Sequence, residues 1–412
     1  MTAAAADTPE NRRRAWSNLW VLATAQALVG SQMSMVFITA GLAGAMIAPN
    51  PCLATLPVSM TMLGSTISAR FLSGFMARHG RRLGFTLACM IAALGAGVAF
   101  VGLEWSSFLL FTLGCTLIGA YMSAQGFYRF AVADVAPEAL QPRMISLVQA
   151  GGLVSALIGP QLASITAEAS AVPFAMTFAV IIGLNLLGPL IFSFLRIPLP
   201  PRAGTGTGAA RTRGRSTSEL LRTPEIAVAI ICAMVSYALM NLVMTSTPLA
   251  IVGCGFGTSD AANVTAAHII AMFAPAFFTG SLITRFGAER VVATGLVILA
   301  AGGAVALSGV SLDKFYLALI LLGVGWNFGF IGATAMVTAA HRPEERGRVQ
   351  GVNDTIVFGG VFLASLSSGA LMGCSGGTAE QGWSAVNMAM VPFLILAGGA
   401  LIWLTLRPRE TA

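Results

Sequence analysis

Residues 73–82 read Ser73-Gly74-Phe75-Met76-Ala77-Arg78-His79-Gly80-Arg81-Arg82, and residues 280–290 read Gly280-Ser281-Leu282-Ile283-Thr284-Arg285-Phe286-Gly287-Ala288-Glu289-Arg290. Arg78 and Gly80 match Arg285 and Gly287 at an offset of about 207, half of a 412-residue chain. A second pair repeats at nearly the same offset: Ala136-Pro137-Glu138 followed by Arg143, and Arg342-Pro343-Glu344 followed by Arg348. Self-similarity at half length marks two copies of one structural unit.

Outward from these basic loops the chain is apolar. Stretches of spanning length occupy about 16–46, 53–77, 83–103, 107–132, 144–167, 172–195, 224–250, 261–284, 290–310, 315–340, 350–372 and 383–406. A membrane span takes roughly 20 residues, so twelve fit with room for loops. Only 9% of residues are charged, against about 25% in soluble domains, and the mean hydropathy is +0.82. So few charges cannot cover a 42.5 kDa surface in water. That excludes a soluble enzyme, a disordered chain and a fibrous repeat. The alternating ten-residue strands of a membrane β-barrel are absent. The expected fold class is an all-α membrane protein with 12 transmembrane helices.

The net charge is +7, and Lys314 is the only lysine among 23 basic residues. Position decides what this charge does. One set of connections carries Arg12, Arg13 and Arg14, then Arg78, Arg81 and Arg82, then Arg143, Arg196 to Arg222, Arg285, Arg290, Arg342 to Arg348, Arg407 and Arg409. The alternate connections carry Glu104, Glu168, Asp260, Asp313, Lys314 and Glu380. Arginine bias of this kind orients spans, so both termini are expected in the cytoplasm and no nucleic-acid partner is implied. The first apolar run is too long for a cleaved signal peptide. Residues 199–223, Pro/Gly/Thr-rich and then Arg/Ser-rich, read as a flexible cytoplasmic linker. The expected organisation is a tail at 1–15, six spans in 16–198, the linker, six spans in 224–406, and a tail at 407–412.

Polar side chains inside a membrane are costly and are default functional candidates. The ionisable ones are Arg70, Arg129, His268 and Asp354. No acid sits mid-span in the first half, which weighs against a proton-coupled exporter. Nothing resembles a nucleophile–base pair or a nucleotide loop, so no enzyme is expected. Span 7 contains Met240-Asn241-Leu242-Val243-Met244, and span 8 contains His268-Ile269-Ile270-Ala271-Met272. At i, i+4 spacing each pair projects from one helix face. Met240 lies roughly 13 Å and His268 roughly 11 Å below the outer surface at 1.5 Å per residue, so the four side chains are expected at one level. Thioether and imidazole donors select a soft ion such as Cu(I), and the lack of carboxylates disfavours Mg, Ca and Mn. Met also fills gaps in helix cores, and about one Met-x-x-x-Met is expected by chance. His-x-x-x-Met is rarer, and the two motifs on consecutive spans reinforce one another.

Three cysteines, Cys52, Cys254 and Cys374, fall at or near outer loops; a disulfide among them is allowed, but spacing does not give its pairing. Cys232 shares span 7 with Met240. These thiols are candidates for metal hand-off or redox control, against simple packing. Cys89 and Cys115 read as packing residues. Asp354 is within two turns of Arg348, an expected pair at the inner gate. Arg129 is expected to bond carbonyls or water at a helix crossing.

The loop after span 2 resembles the Gly-x-x-x-Asp-Arg-x-Gly-Arg-Arg signature of the major facilitator superfamily, and the resemblance extends over the whole chain. Span 5, with Gly151, Gly152, Gly159 and Pro160, is similar to its Gly-Pro signature. Two departures stand out: Ser73 replaces the usual Gly, and Ala77 the usual Asp, with Thr284 equivalent in the second half. The resemblance implies two pseudo-symmetric six-helix bundles that rock about a midplane site, with Arg78, Arg129, Gly159, Pro160, Arg285 and Asp354 in gate or structural roles. The span-7 and span-8 motifs resemble those of the CcoA-type copper importers within that superfamily. That implies Met240, Met244, His268 and Met272 as ligands, with Cys52, Cys232, Cys254 and Cys374 at matching places. It further implies a monomer in the bacterial inner membrane, in contact with lipid. Cu(I) would be its cargo, carried inward to a cytoplasmic copper chaperone for assembly of C-type (cbb3) cytochrome oxidase. The rivals are a proton-coupled exporter of drugs or metabolites and a non-transporting copper sensor or assembly factor.

Overall fold

The structure is a computed structural model that describes residues 8–137, 140–198, 215–342, 345–374 and 377–407. Among them every regular element is helical: α1 (Pro9–Leu28), α2 (Ser31–Ile47), a 3-10 turn (Pro51–Leu53), α3 (Leu56–His79), α4 (Arg81–Glu104), α5 (Phe108–Gly126), α6 (Tyr128–Ala133), α7 (Gln141–Thr166), α8 (Ala175–Ser193), α9 (Thr217–Arg222), α10 (Pro224–Gly253), α11 (Thr258–Phe273), α12 (Ala276–Phe286), α13 (Ala288–Leu307), α14 (Leu312–Ala340), α15 (Arg346–Cys374), α16 (Ala379–Met388) and α17 (Met390–Leu406). Among the described residues eleven stretches are long and apolar enough to cross a membrane, and the shorter apolar helix Gly151–Thr166 lies where the fifth span was expected. This is a multi-pass α-helical membrane protein.

Several expected spans are broken helices. The first breaks at Val29-Gly30, the fourth at Phe127, the eighth at Ala274-Pro275 and the twelfth at Ala389. At the eighth the reason is chemical: Pro275 has no N–H to bond the preceding turn. The first span also starts earlier than its apolar run. Thr8 accepts from the Asn11 N–H as N-cap, so Arg12, Arg13 and Arg14 are helical rather than part of a free tail.

The chain divides into two units. Unit 1 contains Met1–Thr207 with Gly257–Ala266, and unit 2 contains Gly208–Phe256 with Ala267–Ala412. In unit 1 the start of α11 joins α7: Gln161 Nε2 donates to Asn263 Oδ1 at 3.2 Å, and the Ser164 and Ser259 hydroxyls are 2.6 Å apart. The repeated Arg-x-Gly loops have the same backbone in each unit. Gly80 and Gly287 both sit at φ +88°, a region that favours glycine, and each joins two helices directly. Gly159 lets α7 lie against α2, since a Cβ there would meet the Ser31 carbonyl oxygen at 2.5 Å. Away from water, buried polar groups gain by pairing with one another. Gln32 and Asn185 exchange amide hydrogen bonds of 3.1 and 2.7 Å in unit 1.

The expected linker is only partly irregular. Residues 199–214 lie outside the described residues, but Thr217–Arg222 is helical behind a capping box from Ser216 and Glu219. Arg215 clasps Glu345, with Nη2 donating to Oε2 at 2.7 Å and Nε to Oε1 at 2.8 Å. Arg348 donates to the Arg215 carbonyl as well. The Arg215 hydrogen bond holds the Glu345 carboxyl far below the usual carboxylate range. A depressed carboxylate contributes its stability fully above the ordinary pKa of about 4.3 and loses it as pH falls through the lower folded value. Glu345→Gln is therefore expected to melt at a lower temperature than wild type by a margin that is constant from about pH 8 to 5 and shrinks in stronger acid. A margin that vanishes near neutrality would contradict the clasp.

Candidate functional site

All four motif residues belong to unit 2. Met240 and Met244 are buried on α10. That stretch is pinned to α15 by its neighbours. The Asn241 amide reaches the Val361 carbonyl at 3.4 Å, and Ser246 donates to the Ser368 carbonyl at 3.2 Å. The Ser368 hydroxyl returns a bond to the Leu242 carbonyl at 2.7 Å.

His268 and Met272 on α11 are seated by α14. His268 is fully buried, and its Nδ1 lies 2.7 Å from the Leu319 carbonyl oxygen. A carbonyl only accepts, so Nδ1 carries the proton and Nε2 presents its lone pair. That Nε2 has no hydrogen-bond partner. One turn on, Asn327 Nδ2 donates to the Met272 carbonyl at 2.7 Å, and Asn327 Oδ1 accepts from Thr279 at 2.6 Å. Gly323 stands between these contacts. A Cβ there would lie 2.7 Å from the His268 carbonyl oxygen and 3.0 Å from both Ala271 Cβ and Met272 N. Leu319, Gly323 and Asn327 recur every fourth residue, so one face of α14 holds both motif positions in parallel register.

The two motif helices meet at one indole. Tyr237, one turn before Met240, has its ring 5.4 Å from that of Trp326, and Phe273, next to Met272, lies 6.4 Å from the same ring. Sequence reasoning missed Asn327, Gly323, Trp326 and Tyr237. Asn327 was visible as a polar residue inside span 10, but only ionisable groups were weighed. Among the described residues no cluster of three or more His, Cys, Asp or Glu is placed to hold a metal.

The other candidates lie elsewhere. Cys232 is buried with Sγ 3.9 Å from the Ala397 carbonyl on α17. Cys254 follows α10 as a free, part-exposed thiol, and burial with the Glu380 charge raises its pKa, the opposite of an activated thiolate. Cys52 and Cys374 are disulfide-bonded, so in this state neither offers a thiolate. Arg129, on α6, places its guanidinium 4.8 Å from the Phe130 ring centre. Arg78 and Arg285 are exposed in the last turns of α3 and α12. Pro160 lies inside α7. Asp354 is exposed on α15 and accepts from Asn353 at 3.1 Å. At the membrane surface Arg81 pairs with Asp134 at 2.9 Å, an acid supplied from after α6 where the loop itself has Ala77.

A sequence profile described as Major Facilitator Superfamily matches residues 229–412. The riboflavin transporter RfnT of Brucella anthropi is 41% identical over 395 residues, covering 96% of this chain and 97% of that protein. The chain belongs to the major facilitator superfamily. A second superfamily member, the uncharacterized MFS-type transporter YddS of Bacillus subtilis, is 28% identical over 98% of this chain and 95% of its own. Among solved structures the nucleoside transporter NupG superposes with a TM-score of 0.70 at 15% identity, covering 95% of this chain and 100% of NupG. A bacterial metal transporter superposes with 0.65 at 14% identity, covering 96% and 99%. At those identities the structures speak for the superfamily fold alone.

Proposed function

We propose that this membrane transporter carries copper, as Cu(I), inward across the bacterial inner membrane, with both termini in the cytoplasm. The observation that carries the proposal is the His268 Nε2 lone pair. It is buried without a partner on the helix face that also bears Met272. A buried acceptor left unpaired costs about 1–3 kcal/mol, and a soft cation would satisfy it. Met240, Met244 and Met272 would supply thioethers, and neutral donors allow release to a cytoplasmic chaperone for C-type cytochrome oxidase assembly. Cys52 and Cys374 are each disulfide-bonded, Cys232 is buried, and the Cys254 thiol is held protonated, which argues for leaving the thiols out of the ligand set.

A second reading is carriage of riboflavin, favoured by the 41% identical relative. Uptake measurements separate them. Cells expressing the protein should accumulate radioactive copper above a strain lacking the gene, and Met240→Ala at equal protein level should lose most of that gain. Riboflavin accumulation with copper at background would overturn the copper proposal. Copper bound by the pure protein without accumulation would point to a sensor.

A further inference from the structure

Unit 2 carries a cluster of rings that the thioether and imidazole set does not use. Trp326 and Phe330, one turn apart on α14, are stacked with centres 5.4 Å apart and planes 13° apart. Tyr237 from α10 meets both edge-on, at 5.4 and 5.1 Å. Phe358 from α15 meets Tyr237 at 5.9 Å, and Phe273 at the end of α11 meets Trp326 at 6.4 Å. Four helices of one unit therefore turn aromatic side chains to one place.

Close packing alone would account for rings that are sealed and satisfied. These are neither. Phe358 is 36% exposed, and Tyr237, Phe273 and Phe330 are half-buried. Trp326 is only 8% exposed, yet its indole N–H has no acceptor. Buried indole N–H groups nearly always have an acceptor, so the orphan Trp326 N–H beside a part-exposed stack marks a place where a ligand completes the bonding.

We propose that this cluster is a seat for a planar heteroaromatic ligand. The ligand's ring stacks with the Trp326–Phe330 pair and an acceptor on its edge takes the indole N–H. Tyr237, Phe273 and Phe358 set the width of the seat. A saturated or bulky ligand lacks the flat face that such a pair recognises.

The test uses the purified full-length protein and lumichrome, a fluorescent planar tricycle with acceptors on its edge, and needs no copper. It therefore holds or fails apart from the uptake assay. Wild type should bind lumichrome saturably. Losing one stacking ring costs about 1–3 kcal/mol, or roughly 5- to 150-fold in affinity, so Trp326→Leu and Tyr237→Leu should weaken binding at least about fivefold. Trp326→Phe keeps a ring and loses the N–H, and should weaken binding by roughly 2- to 12-fold. Each variant is checked for a wild-type melting profile, and Trp326→Phe serves if Trp326→Leu does not fold. No binding by wild type, or wild-type affinity in folded Trp326→Phe and Tyr237→Leu, would overturn the seat.

Discussion

If the proposed copper site is right, replacing His268 by Asn is expected to abolish copper uptake while the protein still folds and reaches the membrane. The choice of Asn follows from the two nitrogens of the ring. Nδ1–H serves structure, through its 2.7 Å bond to the Leu319 carbonyl. Nε2 serves no structural bond. The Asn amide places an N–H near the Nδ1 position and so keeps the bond to α14. Its remaining atom there is a hard oxygen, which a soft cation disfavours. His268→Ala removes both functions and adds a destabilisation of about 1–3 kcal/mol from the stranded carbonyl. Losing a partner that merely orients a ligand already costs about 10- to 100-fold in metal affinity or activity. Loss of a ligand itself should reduce copper uptake at least that far. Radioactive copper uptake at matched protein level measures it. His268→Asn uptake within twofold of wild type would remove His268 from the transport path.

The span count, the half-length repeat and the Arg-x-Gly loops were legible because each depends on local chemistry: apolar length, arginine placement, and a backbone angle that glycine tolerates at Gly80 and Gly287. The four motif positions were legible as spacing on two helices. What holds them was not. The His268–Leu319 and Met272–Asn327 bonds join residues 51 and 55 positions apart. The Arg215–Glu345 clasp spans 130 positions, across a stretch whose composition reads as flexible. The break at Ala389 sits where Pro392 cannot bond the Met388 carbonyl four residues back, whereas the break at Phe127 has only Gly126 beside it and no proline. The cargo was least legible. A relative covering nearly the whole chain is described as a riboflavin transporter, whereas the thioether and imidazole pattern points to copper. One fold carries many cargoes, and a few side chains decide among them.

Those side chains are only as well placed as the helix behind them, and Gly323→Val tests this without altering a ligand. The new Cβ would lie 2.7 Å from the His268 carbonyl oxygen, a backbone atom that no side-chain rotation can move aside. It would also lie 3.0 Å from Ala271 Cβ and Met272 N. Either α11 or α14 must shift, and the two γ-methyls of Val enlarge the shift. Overpacking of this kind costs about 1–3 kcal/mol, which a membrane bundle survives. The proposed ligands are not expected to survive it in place, because His268 and Met272 flank the point of contact. A displacement of about 1 Å at a functional site can cost 100-fold, so copper uptake in Gly323→Val should fall at least tenfold. Gly398→Val on α17 is the matched control. Nothing lies within 4 Å of a Cβ at Gly398, so it carries the same helix-propensity cost without a collision, and its uptake should stay within about twofold of wild type. Equal uptake in the two variants would mean that the α11–α14 seam does not position the proposed copper ligands.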